Sequence, residues 1–293
     1  MNEMLEGLRA KFDKISRTLK LDEVIEVSLY IAGAGAFGVF LRWMQDQLAF
    51  NEAGLPEKSA FHVLVPLYLL LAAYVLYGFV RRYGKRGLSV PEDFFAAFAN
   101  QGGIYIALRW GVGGLMMLSG LVTLMTTELD KYAGMLRILA ILAVLSGLAF
   151  ALLLHFAERG SAEPRLLCTL TLLPLLLYAF WLVYTYRSNS INGVAWSYLI
   201  EVVTVCMALL AFFRLAGFAF AAPNWRRCLF DVSFAAALCL TSIADERYLG
   251  MQLILFSTAL MLLSLNWILT CNLVKTEEPP QEGAQEDGGF EKL

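Results

Sequence analysis

The chain is short of the side chains that most catalytic centres are built from. It has only two histidines and five cysteines in 293 residues. His62 and His155 fall on opposite sides of the topology read below, which rules out a shared metal ion between them. Cys168, Cys206, Cys228, Cys239 and Cys271 include no Cys-x-x-Cys pair, and isolated buried thiols behave as small apolar side chains. Neither a Gly-x-Ser-x-Gly elbow nor a phosphate-binding loop occurs. No lysine falls inside a long apolar run, which excludes a retinal Schiff base. The sequence therefore assigns no catalytic residue, metal or cofactor. Charge is scarce as well, at 16% of residues against about a quarter in soluble domains. The formal net charge of −2 gives no electrostatic footprint for nucleic acid.

What the chain has in abundance is apolar residues, 59% of the total, gathered into eight runs near 24–44, 61–80, 104–127, 133–155, 165–186, 194–219, 227–244 and 248–272. A helix rising 1.5 Å per residue needs about 20 residues to cross a hydrocarbon core of about 30 Å, and most runs reach that length. Backbone N–H and C=O groups find no water there, so each run should be helical. Transmembrane strands would alternate apolar and polar residues, and these runs do not. The fold class expected is all-α, a polytopic membrane protein with a bundle of eight transmembrane helices in the lipid bilayer. The seventh run is the weakest, being short and carrying Asp231, but omitting it would reverse the eighth.

Lys and Arg mark the orientation. They crowd the segment before the first run, the connection with Arg81, Arg82, Lys85 and Arg86, and the connections with Arg159 and Arg165 and with Arg226 and Arg227. The alternate connections hold only Lys58, Lys131, Arg187 and Arg247. The positive-inside rule then places both termini in the cytoplasm of a multi-pass cell-membrane protein. Trp43, Trp181, Tyr184, Tyr186, Trp196 and Tyr198 fall toward the opposite, outer ends, where amphipathic rings favour the interface.

Three regions follow. Residues 1–23 read as an amphipathic leader, with Met4, Leu5, Leu8, Phe12, Ile15 and Leu19 at helical spacing among Lys11, Lys14 and Arg17. The first run starts too late and is too long for a cleavable signal peptide. Residues 24–274 form the eight-helix domain. Residues 275–293, with Pro279-Pro280, several glycines and many carboxylates, read as a disordered acidic cytoplasmic tail. Between the second and third runs, Ser89 and Glu92 have capping-box spacing, and a short interfacial or re-entrant helix should follow, carrying Phe94, Phe95 and Phe98 and ending at Gly102-Gly103.

Small residues supply packing faces. Gly33, Gly35 and Gly38 alternate with alanines in the first run, and Ala143, Gly147 and Ala151 recur every fourth residue in the fourth. Such faces allow close helix approach in lipid, either within the chain or in a homo-oligomer or complex with a membrane protein partner.

Charges within the runs form the candidate polar site: Glu201, Arg137, Arg214, Asp231 and Arg109. An Arg or Asp at mid-membrane costs about 2.5–3.5 kcal/mol on insertion scales and is usually kept with a partner or a purpose. Arg214 and Asp231 lie equally far from the turn between the sixth and seventh runs, so an antiparallel hairpin predicts an ion pair, serving either as a clamp or in an ion or substrate role. Glu201 lies nearer mid-membrane, with Arg137 and Arg42 as possible partners. Without one, burial would hold it neutral or able to exchange protons. Arg109 can reach Glu26 or snorkel to the inner interface.

The stretch 35–56, with Gly38, Leu41-Arg42, Gln45, Ala49-Phe50 and Gly54-Leu55-Pro56, resembles the first span and outer loop of an uncharacterised family of multi-spanning proteins from Gram-positive gut anaerobes. The resemblance covers about the first quarter of the chain and carries no activity. It implies an ordered outer element in which Arg42 and Gln45 bind nearby carbonyls. Two readings of function remain open: a transporter-like or channel-like bundle for a small solute, and a non-catalytic membrane subunit or sensor that binds a partner protein.

Overall fold

Long apolar runs leave the backbone no hydrogen-bonding partner in lipid except itself, and in the computed structural model each run is a helix. Residues 2–275 are described, apart from 52–54, 58, 101, 191–193 and 246, with the side chains of 2–21, 129 and 195–197 also outside the description. The apolar pattern of the leader and the whole acidic tail therefore lie outside the described residues. The helices are α1 (Asn2–Leu48), α2 (Phe61–Lys85), α3 (Phe94–Ala97), α4 (Gly103–Thr126), α5 (Ala133–Arg159), α6 (Pro164–Ser188), α7 (Ala195–Ala219), α8 (Trp225–Thr241) and α9 (Leu249–Cys271). Eight helices among the described residues are long and apolar enough to cross a membrane, α3 being the exception. The protein is a multi-pass integral membrane protein.

The two strands, β1 (Leu88–Ser89) and β2 (Val274–Lys275), pair antiparallel, joining the exit of α2 to the exit of α9. An ion pair between Arg86 and Glu23 adds α1 to the same end. This end, which carries Arg81, Arg82, Lys85, Arg226 and Arg227, is the basic end. The opposite one is the far end.

Around the bundle, α1 packs on α8, α8 on α7, α7 on α6, α6 on α5 and α5 on α4, while α9 contacts α1, α4 and α8 and α2 leans on α1 and α8. The two most buried spans are α9 and α8. That position explains the weak seventh run, because a helix enclosed by other helices needs little apolar surface for lipid. Its polar groups are used internally: Ser233 Oγ donates to Asn266 Oδ1 at 3.0 Å, and buried Thr241 Oγ1 donates to the Ala237 carbonyl at 2.9 Å.

The small-residue faces are consumed inside the chain. A Cβ on Gly113 would stand 2.8 Å from the Gly147 carbonyl oxygen, and one on Gly147 would stand 2.6 Å from that of Gly113. Gly35 and Gly38 lie against Leu240 and Thr241 in the same manner, whereas Gly33 faces open space. Because backbone and not a flexible side chain blocks Gly147, Gly147→Val should force α4 and α5 apart and cost about 1–3 kcal/mol. Gly33→Ala, in open space within α1, should be neutral or stabilising by up to about 1 kcal/mol. Thermal unfolding in lipid nanodiscs checks both, and equal midpoints for the two variants would contradict the packing described.

The connection after α2 differs from expectation. Ser89 sits in β1, and the helix begins later, with Asp93 as its N-cap accepting from Ala96 N at 2.9 Å. Asp93 fills the capping role that Ser89 was expected to play because β1 pairing holds Ser89 extended, leaving the next acidic residue before the phenylalanines to cap. Phe94 and Phe98 are buried, Phe98 meeting Phe218 edge-on at 5.5 Å. Asn272 Nδ2 donates to the carbonyls of Ala97 and Ala99 at 2.9 Å each, fixing this turn to the end of α9. Gly102, at φ +117°, then redirects the chain into α4.

Candidate functional site

A vestibule of about 920 Å³ opens at the far end, lined by residues from α1, α6, α7, α9 and the α8–α9 connection. Its charged lining comprises Arg42 and Arg247 together with Asp46, Glu201 and Asp245. Tyr184, Tyr198, Tyr248 and Phe50 add aromatic surface. The two arginines against three carboxylates leave one negative charge in excess among these lining groups.

The charges interlock. Arg42, 2% exposed, directs Nε to Asp245 Oδ1 at 2.6 Å, Nη1 to Gln45 Oε1 at 2.7 Å and Nη2 toward Asp46 at 3.5 Å. Asp245 Oδ2 accepts from Arg247 Nη2 at 2.6 Å and from Ser242 Oγ at 3.0 Å. The same Nη2 lies 3.5 Å from Glu201 Oε2. Glu201 Oε1 accepts from Trp181 Nε1 and Thr185 Oγ1, both at 2.8 Å. Charge thus runs from Arg42 through Asp245 and Arg247 to Glu201, and every carboxylate in that chain has a cationic neighbour. In a partly desolvated setting this is the arrangement that keeps buried ions tolerable.

The rim is ordered by local chemistry. Beyond α1, Ala49 N bonds Gln45 O at 2.9 Å, Asn51 N bonds Leu55 O at 3.0 Å and Glu57 N bonds Ala49 O at 2.9 Å, closing a loop with a Phe50–Pro56 bridge. Gln45 Nε2 lies 3.2 Å from His62 Nδ1, and the other ring nitrogen lies 3.2 Å from the Ala49 carbonyl. Arg42 and Gln45 were expected to hold loop carbonyls. Among the described residues, Arg42 reaches Asp245, Asp46 and the Gln45 amide oxygen, and His62 lies against the Ala49 carbonyl. On the opposite side, Tyr184 donates to Asp130 at 2.6 Å.

Below Glu201 the interior is filled. Trp181 is fully buried and stacks on Tyr178 at 6.1 Å and 6°, and Tyr178 stacks on Phe212 at 5.5 Å and 9°. Tyr178 also bonds Thr258 of α9. Beyond the stack lies an apolar void of about 40 Å³ bordered by Pro174, Phe212, Phe94 and Phe98. Among the described residues, the three rings of Trp181, Tyr178 and Phe212 stand between the vestibule floor and the basic half.

The five charges expected to form one polar site are dispersed. Glu201 occupies the second turn of α7, about 9 Å from the helix start at 1.5 Å per residue, in the far third of the bundle. Its cationic neighbour is Arg247. Arg137 is exposed and lies 3.7 Å from Glu128. Arg214 Nε lies 3.5 Å from Asp231 Oδ2, across the α7–α8 hairpin. That separation is an ion-pair distance without a hydrogen bond at Nε. Arg109 pairs with Glu158, not Glu26, because α4 packs on α5. The sequence marks Arg247 only as a loop cation and Trp181 only as an interfacial ring, whereas Trp181 is fully buried and donates to Glu201, and it gives Asp245 no role. The signal available for Arg247 and Asp245 was a charged Asp-Glu-Arg connection between two apolar spans at the same end as Glu201.

Compared with known proteins, the chain matches no family model, no curated protein and no solved structure at a significant level.

Proposed function

We propose that this protein is a transporter-like bundle that admits a small polar solute into the far-end vestibule. The observation that carries the reading is a ligand-sized, charge-lined cavity ending on Glu201 above a closed aromatic stack. Small-molecule sites usually occupy about 300–1,000 Å³ and combine apolar walls with a few placed polar groups, and this lining has both. Mixed charge with one carboxylate in excess suits a solute bearing an amino group, alone or beside a carboxylate. With the basic end in the cytoplasm, as the positive-inside rule favours, the vestibule faces outward. Passage then requires the Trp181, Tyr178 and Phe212 stack to part, giving alternate access from the two faces.

Proteoliposomes loaded with amino acids test the reading by counterflow of radiolabelled tracer. Glu201→Gln keeps the side-chain shape but withdraws the charge facing Arg247, and tracer exchange should fall at least about tenfold, the equivalent of about 1.4 kcal/mol. A second reading, a membrane subunit that holds a partner protein, draws support from the filled interior. It would be favoured by a stoichiometric partner covering the vestibule together with exchange at the level of empty liposomes in both wild type and variant. The small-residue faces lend that reading little support, since the chain's own helices occupy Gly35, Gly38, Gly113 and Gly147.

A further inference from the structure

A second cavity, of about 440 Å³, lies at the basic end on the outer flank of the bundle, in the groove between α2 and α8. Arg81 and Lys85 line it from α2, and Arg226 and Arg227 from the first turn of α8. Among the described residues none of the four has a carboxylate within ion-pair distance, whereas adjacent Arg86 is matched by Glu23. Asp231, one turn from Arg227, is turned to Arg214. Glu92 lines the cleft next to this groove, on the other side of Arg226, without pairing to it.

Gly84 shapes the groove. A Cβ there would lie 3.3 Å from three atoms of the Arg226 guanidinium, so the missing side chain is what lets that cation rest on the α2 backbone. Toward the membrane centre the walls become apolar: Tyr77 and Phe230 meet edge-on at 6.3 Å, and Tyr77 is half exposed on the lipid-facing side. The groove therefore has cations at the level where a span ends and aromatic surface beneath them. At its upper end the opening N–H groups of α8 add positive potential.

We propose that this groove binds the headgroup of an anionic phospholipid, with the phosphate among Arg81, Lys85, Arg226 and Arg227 and an acyl chain along Tyr77 and Phe230. A phosphate oxyanion accepts forked hydrogen bonds from guanidinium, and basic pockets between helices at such an interface suit acidic headgroups. A soluble phosphate would satisfy the cations but leave the aromatic half of the groove unused. The site is remote from the vestibule, and its test does not depend on transport.

Spin-labelled phosphatidylglycerol and phosphatidylcholine, each reconstituted with the full-length protein in phosphatidylcholine bilayers, give relative association constants from the motionally restricted fraction. Wild type should prefer phosphatidylglycerol, and Arg226→Gln with Arg227→Gln should lower the preference about fivefold for each cation removed. Arg226→Lys with Arg227→Lys, which keeps the charge but not the fork, should retain more of the preference than the glutamine pair, separating charge from folding. Inorganic phosphate, compared with chloride at matched ionic strength, should leave the preference intact. Equal association of the two lipids in wild type would overturn the proposal, as would displacement of phosphatidylglycerol by phosphate, which would indicate a site for a soluble anion.

Discussion

Arg42→Leu should destabilise the protein by about 3–5 kcal/mol, because it removes one member of a buried ion network and leaves carboxylates behind. Arg42 is almost fully buried and serves Asp245, Gln45 and Asp46 at once. It also ties the end of α1 to the α8–α9 connection, 203 residues away in sequence. Arg247 still touches Asp245 in the variant, so the loss should fall at the lower end of that range. Removing the paired carboxylate as well, as Arg42→Leu with Asp245→Leu, restores the original charge balance of the vestibule. Arg247 then keeps Glu201 as its partner, and more than half of the lost stability should return. Urea unfolding in bicelles measures both. A single variant as stable as wild type, or a double variant less stable than the single, would contradict a network held by charge pairing.

Replacing Trp181 is expected to have an effect of similar size for a different reason. Trp181→Ala deletes the uppermost ring of the stack and the N–H that Glu201 accepts, and large-to-small core changes of this type cost about 3–5 kcal/mol. Trp181→Phe keeps a ring against Tyr178 but withdraws the donor, so it should cost about 1–3 kcal/mol, the penalty of an unmet buried hydrogen bond. Thr185 still donates to Glu201 in both variants. The ordering wild type, phenylalanine, alanine is the informative result. If the alanine variant unfolds at the wild-type midpoint, the stacked ring and the hydrogen bond to Glu201 do not stabilise the core as described.

How much of this was legible in the sequence depended on whether a residue's environment is set locally. Helical spans follow from uninterrupted apolar length, a local property, and all eight were readable, including α8, whose modest apolar character reflects enclosure by other helices and not a doubtful span. The alignment of Arg214 with Asp231 was readable because one turn fixes the depth of both. The environment of Glu201 was not. Its partners come from α6 and from the connection before α9, and which side chains meet there depends on helix rotation and packing order, which hydropathy does not encode. Arg247 was hidden for a related reason: counted among loop cations, it points inward because Asp245 and Glu201 lie beneath it. The displaced cap before α3 illustrates the same limit. Ser89 has the right spacing, yet a pairing with Val274, 185 residues later in the chain, recruits it into a strand.

A charged vestibule at one end of the bundle that stops at an aromatic floor should admit water and small reagents as far as Glu201 and no further. Single cysteines introduced into a variant lacking the five native ones, and exposed to a membrane-impermeant thiol reagent on intact cells, test this directly. Ser188→Cys at the rim and Glu201→Cys at the floor should react, and Thr258→Cys beyond Tyr178 should not. Labelling of Thr258→Cys with Glu201→Cys protected, or failure of Ser188→Cys and Glu201→Cys to react in intact and in opened cells alike, would contradict it.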